Sequence, residues 1–342
     1  MHARVVARPP SRVCVLGAGS WGTTVAVLAT AKAPTVLWAR RAELAEAIRS
    51  TGRNPAYLGD RVLPSSLEAT SVLAEALEGS ELVFMAVPSH GFRSILNEAR
   101  AFMGSSVPVV SLAKGLEDGT LLRMTELVHQ LDPSRPVALL TGPNLASEVA
   151  DGQPTASVVA ARSSSLATQV QWLLHSRTFR VYTNDDVVGC EIAGCLKNVI
   201  AIAAGMAEGL GFGDNTRAAL LTRGLFEMGR IGVALGGHPL TFAGLAGMGD
   251  LIATCTSPRS RNHYVGVQLG RGRSLASILD EMSMVAEGVK TAAVAVELGN
   301  RHGVPMPISA EVARVLAGEA TPAQAVEALL ERAAGDEMEG IR

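Results

Sequence analysis

The stretch "VCVLGAGSWG", residues 13–22, constrains the fold more than any other part of the chain. An apolar strand-like run ends in Gly17-x-Gly19-x-x-Gly22, and the helical pattern "SWGTTVAVLATAKA" follows at once. The first glycine permits a tight turn. The second lets a pyrophosphate approach the backbone, and the third lets helix and strand pack closely. The helix N-terminus then offers free N–H groups and a positive dipole end to phosphates. Ser20 and Trp21 stand where they would face a dinucleotide, although Trp21 serves equally well as a packing residue.

Residues 12–186 continue the alternation that this turn begins. The strand-like runs are "RVCVLGAG", "TVLWAR", "ELVFMAV", "PVVSLA", "PVALLTG", "TASVVAA" and "FRVYTN", with helical patterns between them. One of those patterns is "SSLEATSVLAEALEG", expected to be a single helix over 65–79. The alternation predicts an α/β domain: a doubly wound, mostly parallel sheet with helices on both faces. From residue 187 to about 335 no convincing strand follows. Apolar helical stretches at 187–209, 216–235, 241–254, 259–270, 274–281, 287–302, 306–317 and 322–333 predict a separate all-α domain.

Bulk properties exclude several functions. A net charge of −2 gives no footprint for nucleic acid or an anionic membrane. No uninterrupted apolar run is long enough to suggest membrane insertion. The leader "MHARVVARPPSR" lacks the features of a secretion signal. Cys14, Cys190, Cys195 and Cys255 show no metal-type spacing, the seven histidines have no partner at ligand spacing, and no metal is expected. A reducing cytoplasm is the expected setting.

The second strand ends in "LWARR". Where an NAD-type site carries an acid for the ribose hydroxyls, this chain has Arg40 and Arg41. Arginine suits a 2'-phosphate, so NADPH is expected to be preferred over NADH; a solvated surface pair is the competing reading. Pro88, Ser89 and Lys114 fall at carboxyl ends of later strands, where doubly wound sheets bind ligands. Gly142, Asn144 and Ala146 in "LLTGPNLASEVA" either bind a ligand or cap the next helix.

Lys197 is the sharpest anomaly. It lies in "GCEIAGCLKNVIAIAAGMAEGLGFG", where an unpaired ammonium is costly to bury. In a helix its neighbours are Ala193, Gly194, Ile200 and Ala201, mostly small, which leaves room for another molecule. A snorkelling lysine is the competing reading. Asp250, in "LAGMGDLIATC", is a second charge in an apolar helix. In "CTSPRSRNHYVG", Ser257 is expected to cap a helix begun by Pro258, putting Ser260, Arg261 and Asn262 in a phosphate-binding first turn.

With these motifs assembled, the chain resembles the bacterial-type NAD(P)-dependent glycerol-3-phosphate dehydrogenases from about Val13 to Leu316. The markers are "GAGSWGT", "AVPSH", "SLAKGLE", "GPNLASEVA", "CLKNVIAIAAGMAEGLGFGDNTRAALLTRGL", "GMGDLIATCTSPRSRN" and "VAEGVKT". The resemblance implies a Rossmann domain, an α-helical substrate domain and a homodimer. It also implies interconversion of dihydroxyacetone phosphate and sn-glycerol 3-phosphate for phospholipid synthesis. Lys197 matches the family's general acid/base. Lys114, Gly142, Asn144, Asp250, Ser260, Arg261 and Asn262 match substrate contacts. The resemblance also implies cofactor contacts at Ser20, Trp21, Arg40, Arg41, Tyr57, Lys114, Ala146, Arg261, Val285 and Glu287. Asn144 departs from the Ser or Thr that many members carry. Desolvation and a nearby Lys114 would lower the pKa of Lys197, and Asp250 would raise it. A dehydrogenase of the same architecture for a 3-hydroxy acid or ketopantoate should lack the Ser260–Asn262 cluster. A dinucleotide sensor without turnover would need neither Lys197 nor Asp250.

Overall fold

The computed structural model describes residues 9–282 and 286–331. The chain divides into two compact units. One holds the sheet and runs to Ala113 and again from Met124 to Val187; the other is helical and holds Lys114–Arg123 together with everything after Val187.

The sheet unit has eight strands: β1 (Val13–Leu16), β2 (Thr35–Trp38), β3 (Leu67–Thr70), β4 (Leu82–Met85), β5 (Val109–Ser111), β6 (Val137–Thr141), β7 (Thr155–Ala160) and β8 (Phe179–Asn184). Their order is β3-β2-β1-β4-β5-β6-β7-β8. Every neighbouring pair is parallel except β6 with β7. The strand order reverses between β1 and β4, the switch point where such sheets bind ligands.

Alternate side chains explain why the strands read as continuous apolar runs. Val13 and Val15 join one buried cluster, with Leu37, Leu82 and Phe84. Cys14 and Leu16 join the opposite one, with Val36, Trp38, Val83 and Met85. Each central strand is therefore covered on both faces, as a parallel sheet requires.

Residues 65–79 differ from the helix expected of them. Leu67–Thr70 form β3, paired with β2 from Thr35↔Leu67 to Trp38↔Thr70, and only Leu73–Leu77 are helical. Leu, Glu and Ala favour a helix, but β2 otherwise ends the sheet with open backbone groups. Pairing overrides the weak local preference.

The helical unit is built on the helix Val187–Gly209. Almost every residue from Cys190 to Ala207 is buried. An 18-residue stretch of this helix has a mean hydropathy of 1.7, so by length and composition it is apolar enough to cross a membrane, although Glu191 and Lys197 interrupt the apolar run of the helix; 83% of that stretch is buried inside the chain. Its glycines meet those of Arg261–Gly270 with no clearance. A Cβ at Gly266 would lie 2.1 Å from the Ile202 carbonyl oxygen, and one at Gly205 would lie 2.2 Å from that of His263. Among the described residues no strand occurs after β8.

Two further boundaries differ from expectation. The helix expected over 241–254 is split into Pro239–Ala243, a π-helical turn at Leu245–Gly249, and Asp250–Thr256. Gly247 makes the turn possible, since a Cβ there would fall 2.1 Å from the Phe242 carbonyl oxygen. And the helix Arg261–Gly270 is capped by Ser260, whose hydroxyl accepts from the His263 N–H, not by Ser257.

Candidate active site

The sheet unit carries the glycine loop. Gly17 adopts φ +119°, a conformation that disfavours other residues, and a Cβ there would strike the Ala86 carbonyl oxygen at 2.6 Å. A Cβ at Gly22 would fall 1.9 Å from the Gly17 oxygen, so the third glycine is needed for close packing. Gly19 has nothing within 4 Å of where its Cβ would be, and it precedes Ser20–Thr30, whose first N–H groups have no side-chain cap. An open backbone cradle at an uncapped helix N-terminus fits a dinucleotide pyrophosphate.

Ser20 donates to the Tyr57 carbonyl at 3.2 Å, bringing two expected cofactor residues together. Arg41 lies over the Tyr57 ring, 5.8 Å from its centroid, and Arg40 beside it is exposed. The Trp21 ring packs near Phe179, with centroids 6.2 Å apart, while its buried Nε1 has no partner among the described residues. Beyond β6, Gly142 adopts φ +120°, Asn144 donates to the Ser157 hydroxyl at 3.1 Å, and Ala146 opens a short helix.

The helical unit carries the charged cluster. Asp250 is 1% exposed and stands at the start of its helix, directly after the π-turn. The end of that turn aims a carboxylate into the core, where the helix dipole favours it. Lys197 donates to Asp250 Oδ1 at 2.6 Å and to the Thr254 hydroxyl at 2.5 Å. Lys114 donates to the other oxygen, Oδ2, at 2.6 Å. Burial draws the Lys197 ammonium down to a pKa of about 8; Asp250 opposes the shift and the Lys114 charge adds to it. The competition left open by the sequence is therefore decided by desolvation.

A second chain of contacts lies alongside. Asn198 donates to the Lys114 carbonyl at 3.0 Å and accepts from Asn262 at 2.9 Å; the Asn262 oxygen accepts the Gly288 N–H at 2.9 Å. Lys114, Asn198, Asn262 and the start of the helix Glu287–His302 are thus held in one buried network. Arg261 lies exposed in the first turn of its helix, between the buried Ser260 and Asn262.

Residues 12–167 match the family model described as the NAD-dependent glycerol-3-phosphate dehydrogenase N-terminus, and residues 186–327 match its C-terminus. The chain belongs to the NAD-dependent glycerol-3-phosphate dehydrogenase family. It is 54% identical over 326 residues to a glycerol-3-phosphate dehydrogenase [NAD(P)+] of Sphingopyxis alaskensis, covering 95% of this chain and 98% of that one. It is 50% identical over 330 residues to the enzyme of that name from Mycobacterium avium, covering 96% and 97%. The crystal structure of glycerol-3-phosphate dehydrogenase from Coxiella burnetii superposes with a TM-score of 0.91 at 36% identity, covering 94% and 99%.

Within this dehydrogenase framework, Lys197, Lys114, Asp250 and Asn262 lie in one connected cluster. Gly17, Gly19, Gly22, Ser20, Arg41 and Tyr57 gather at the glycine loop. Gly142, Asn144 and Ala146 stand on the sheet unit, at and beyond the end of β6. Val285 lies outside the described residues. Sequence reasoning missed Thr254 and Asn198 as parts of the site. Thr254 was within reach of a signal, since it sits one turn after Asp250 and shares its helix face.

Proposed function

We propose that the chain catalyses reversible, NAD(P)H-dependent reduction of dihydroxyacetone phosphate to sn-glycerol 3-phosphate, with Lys197 as general acid and base. The observation that carries this reading is the buried Lys197–Asp250–Lys114 cluster in a chain of this family. The bound coenzyme supplies the hydride. The protein must deliver a proton to the oxygen that becomes alkoxide. An ordinary lysine, near 10.4, is a weak acid at neutral pH. Desolvation brings Lys197 to about 8, where proton transfer in either direction is practicable. Asp250 and Thr254 hold the ammonium in one orientation, and Lys114 supplies further positive charge toward the substrate oxygens.

Ser260, Arg261 and Asn262, with the N–H groups of the helix they open, hold the phosphate. Gly142 and Asn144 complete the substrate contacts. Gly17, Gly19, Ser20, Trp21, Gly22, Tyr57, Ala146, Val285 and Glu287 serve the coenzyme, with Lys114 and Arg261 touching it as well. Arg40 and Arg41 favour NADPH. The domain limits 12–186 and 187–335 describe the coenzyme and substrate regions, the loop 114–123 being the helical unit's share of the first. The working form is a cytoplasmic homodimer that supplies glycerol phosphate for phospholipid synthesis; the four buried, unbridged cysteines support a reducing compartment.

The test is an absorbance assay of reduced nicotinamide with dihydroxyacetone phosphate and with unphosphorylated dihydroxyacetone. Turnover is expected with the first and little with the second. Equal kcat/KM for the two ketones overturns the phosphate assignment.

A further inference from the structure

The chain enters the helical unit at Lys114 and leaves it after Arg123. Both ends of this excursion carry a cation that meets a carboxylate of the same unit. Lys114 reaches Asp250, and Arg123 donates to Glu191 Oε2 at 2.7 Å. The second pair is nearly as enclosed as the first, with side chains 11% and 7% exposed. Glu191 stands on Val187–Gly209, on the same helix as Lys197 and N-terminal to it. A buried ion pair is a poor source of stability, because desolvation offsets the attraction. Another role for it must be sought.

The loop between the two cations is closed and under strain. Leu116 forms a bridge with Arg123, the Glu117 N–H donates to the Leu122 carbonyl at 2.9 Å, and the Leu121 N–H donates to the Glu117 carbonyl at 2.9 Å. Leu121 adopts φ +61°, the only non-glycine with a positive φ among the described residues. Such a conformation persists where the surroundings fix it. Here Leu116 and Leu121 are both buried in the helical core. Because Leu116 is bridged to Arg123 and lies two residues from Lys114, the place of Arg123 helps to set the place of the Lys114 backbone, whose carbonyl Asn198 also holds.

We propose that the Arg123–Glu191 ion pair is a positioning device for Lys114, fixing the loop that presents its ammonium to Asp250. Neither Arg123 nor Glu191 is assigned contact with substrate; they act through the loop. The inference rests on the reaction proposed above, because it treats Lys114 as part of that site. Its consequence is electrostatic. Lys197 is faced by Asp250, Lys114, Thr254 and Cys255. Withdrawal of the Lys114 charge leaves Asp250 less opposed and raises the pH at which Lys197 loses its proton.

Two variants test the clamp. Glu191→Gln removes the carboxylate charge that Arg123 meets at 2.7 Å. Arg123→Met/Glu191→Leu replaces the pair by apolar contact, a change that buried ion pairs tolerate without loss of fold. In both, crystal structures should show the Lys114 ammonium withdrawn from Asp250. The alkaline limb of ketone reduction should move to higher pH, and kcat/KM should fall on the order of 10²-fold, as misplacement of a site group by about 1 Å does. If Lys114 remains hydrogen-bonded to Asp250 and the limb does not move in either variant, with only Tm lowered, the pair is structural and the proposal is wrong. Wild-type protein that turns over no ketone would overturn the reaction instead, and the crystallographic comparison alone would then decide the clamp.

Discussion

Lys114 and Lys197 share one carboxylate, each donating at 2.6 Å to a different oxygen of Asp250. Two cations on one buried anion leave a net positive charge in a place with little water. That surplus is poised for an anionic or developing-anionic substrate oxygen, and it makes each member of the trio sensitive to the others.

Replacing Lys197 by Met keeps the length and the packing but removes the proton donor. Turnover is expected to fall by roughly 10²–10⁴, the usual range for a lost general acid. Thermal stability and coenzyme binding should persist. A near-normal kcat in Lys197→Met would make the residue a packing lysine.

The pH dependence follows from the depressed Lys197 pKa. Ketone reduction needs the ammonium form, so its rate should hold below about pH 8 and fall above it. Alcohol oxidation needs the free amine and should rise through the same pH. Steady-state pH profiles in both directions check this. Profiles with the same sign of slope would exclude Lys197 as the shared acid and base.

Asp250 raises the pKa of Lys197 against the pull of burial. Asp250→Asn removes that support, so the alkaline limb of ketone reduction should move to lower pH. Thermal stability should drop as well, because two enclosed ammonium groups lose their anion. An unmoved limb in a folded variant would disconnect Asp250 from the proton transfer.

Coenzyme choice rests on the exposed end of β2. A charge-assisted hydrogen bond from an arginine to a 2'-phosphate contributes about 1.5–3 kcal/mol, with exposure favouring the low end. NADPH should be preferred on the order of tenfold. Arg40→Asp should erase or invert that preference while leaving kcat with saturating NADH nearly unchanged. Equal use of both coenzymes by wild type and variant would return Arg40 and Arg41 to the solvent.

The contact between Gly266 and Ile202 makes a stability prediction. A methyl group placed 2.1 Å from a helix carbonyl oxygen forces two backbones apart. Overpacking of this kind costs about 1–3 kcal/mol, and the rigid partner favours the upper end. Gly266→Ala should therefore lower Tm by several degrees, measurable by calorimetry. An unchanged Tm would mean that the two helices separate freely.

The fold was legible where local pattern and tertiary role agree. The glycine loop at Gly17–Gly22 follows a strand and opens a helix, and the structure has both. β3 was illegible because Leu67, Glu68 and Ala69 are helix-favouring residues recruited, with Thr70, by the open edge of β2. The π-turn before Asp250 was illegible because Gly247 reads as a weak helix residue, and its need appears only from the Phe242 carbonyl it must clear. Within the charged cluster, Lys197 and Asp250 stood out as charges in apolar helices. Thr254 and Asn198 did not, since a Thr or Asn in such a stretch is common. The loop 114–123 reads as a connection between a strand and a helix; that it joins the other unit is decided by long-range burial of Leu116 and Leu121.

That excursion bears on how such a chain can be taken apart. A fragment starting at Val188 would contain Lys197, Asp250 and the Ser260–Asn262 turn, yet it would lack Lys114 and one of the two cations on Asp250. A fragment ending at Val187 would carry an orphaned loop with two apolar side chains and an arginine made for a core it no longer has. No single breakpoint in the gene yields two intact modules. Shuffling either half against a distant relative therefore requires the short loop to travel with the half that follows it.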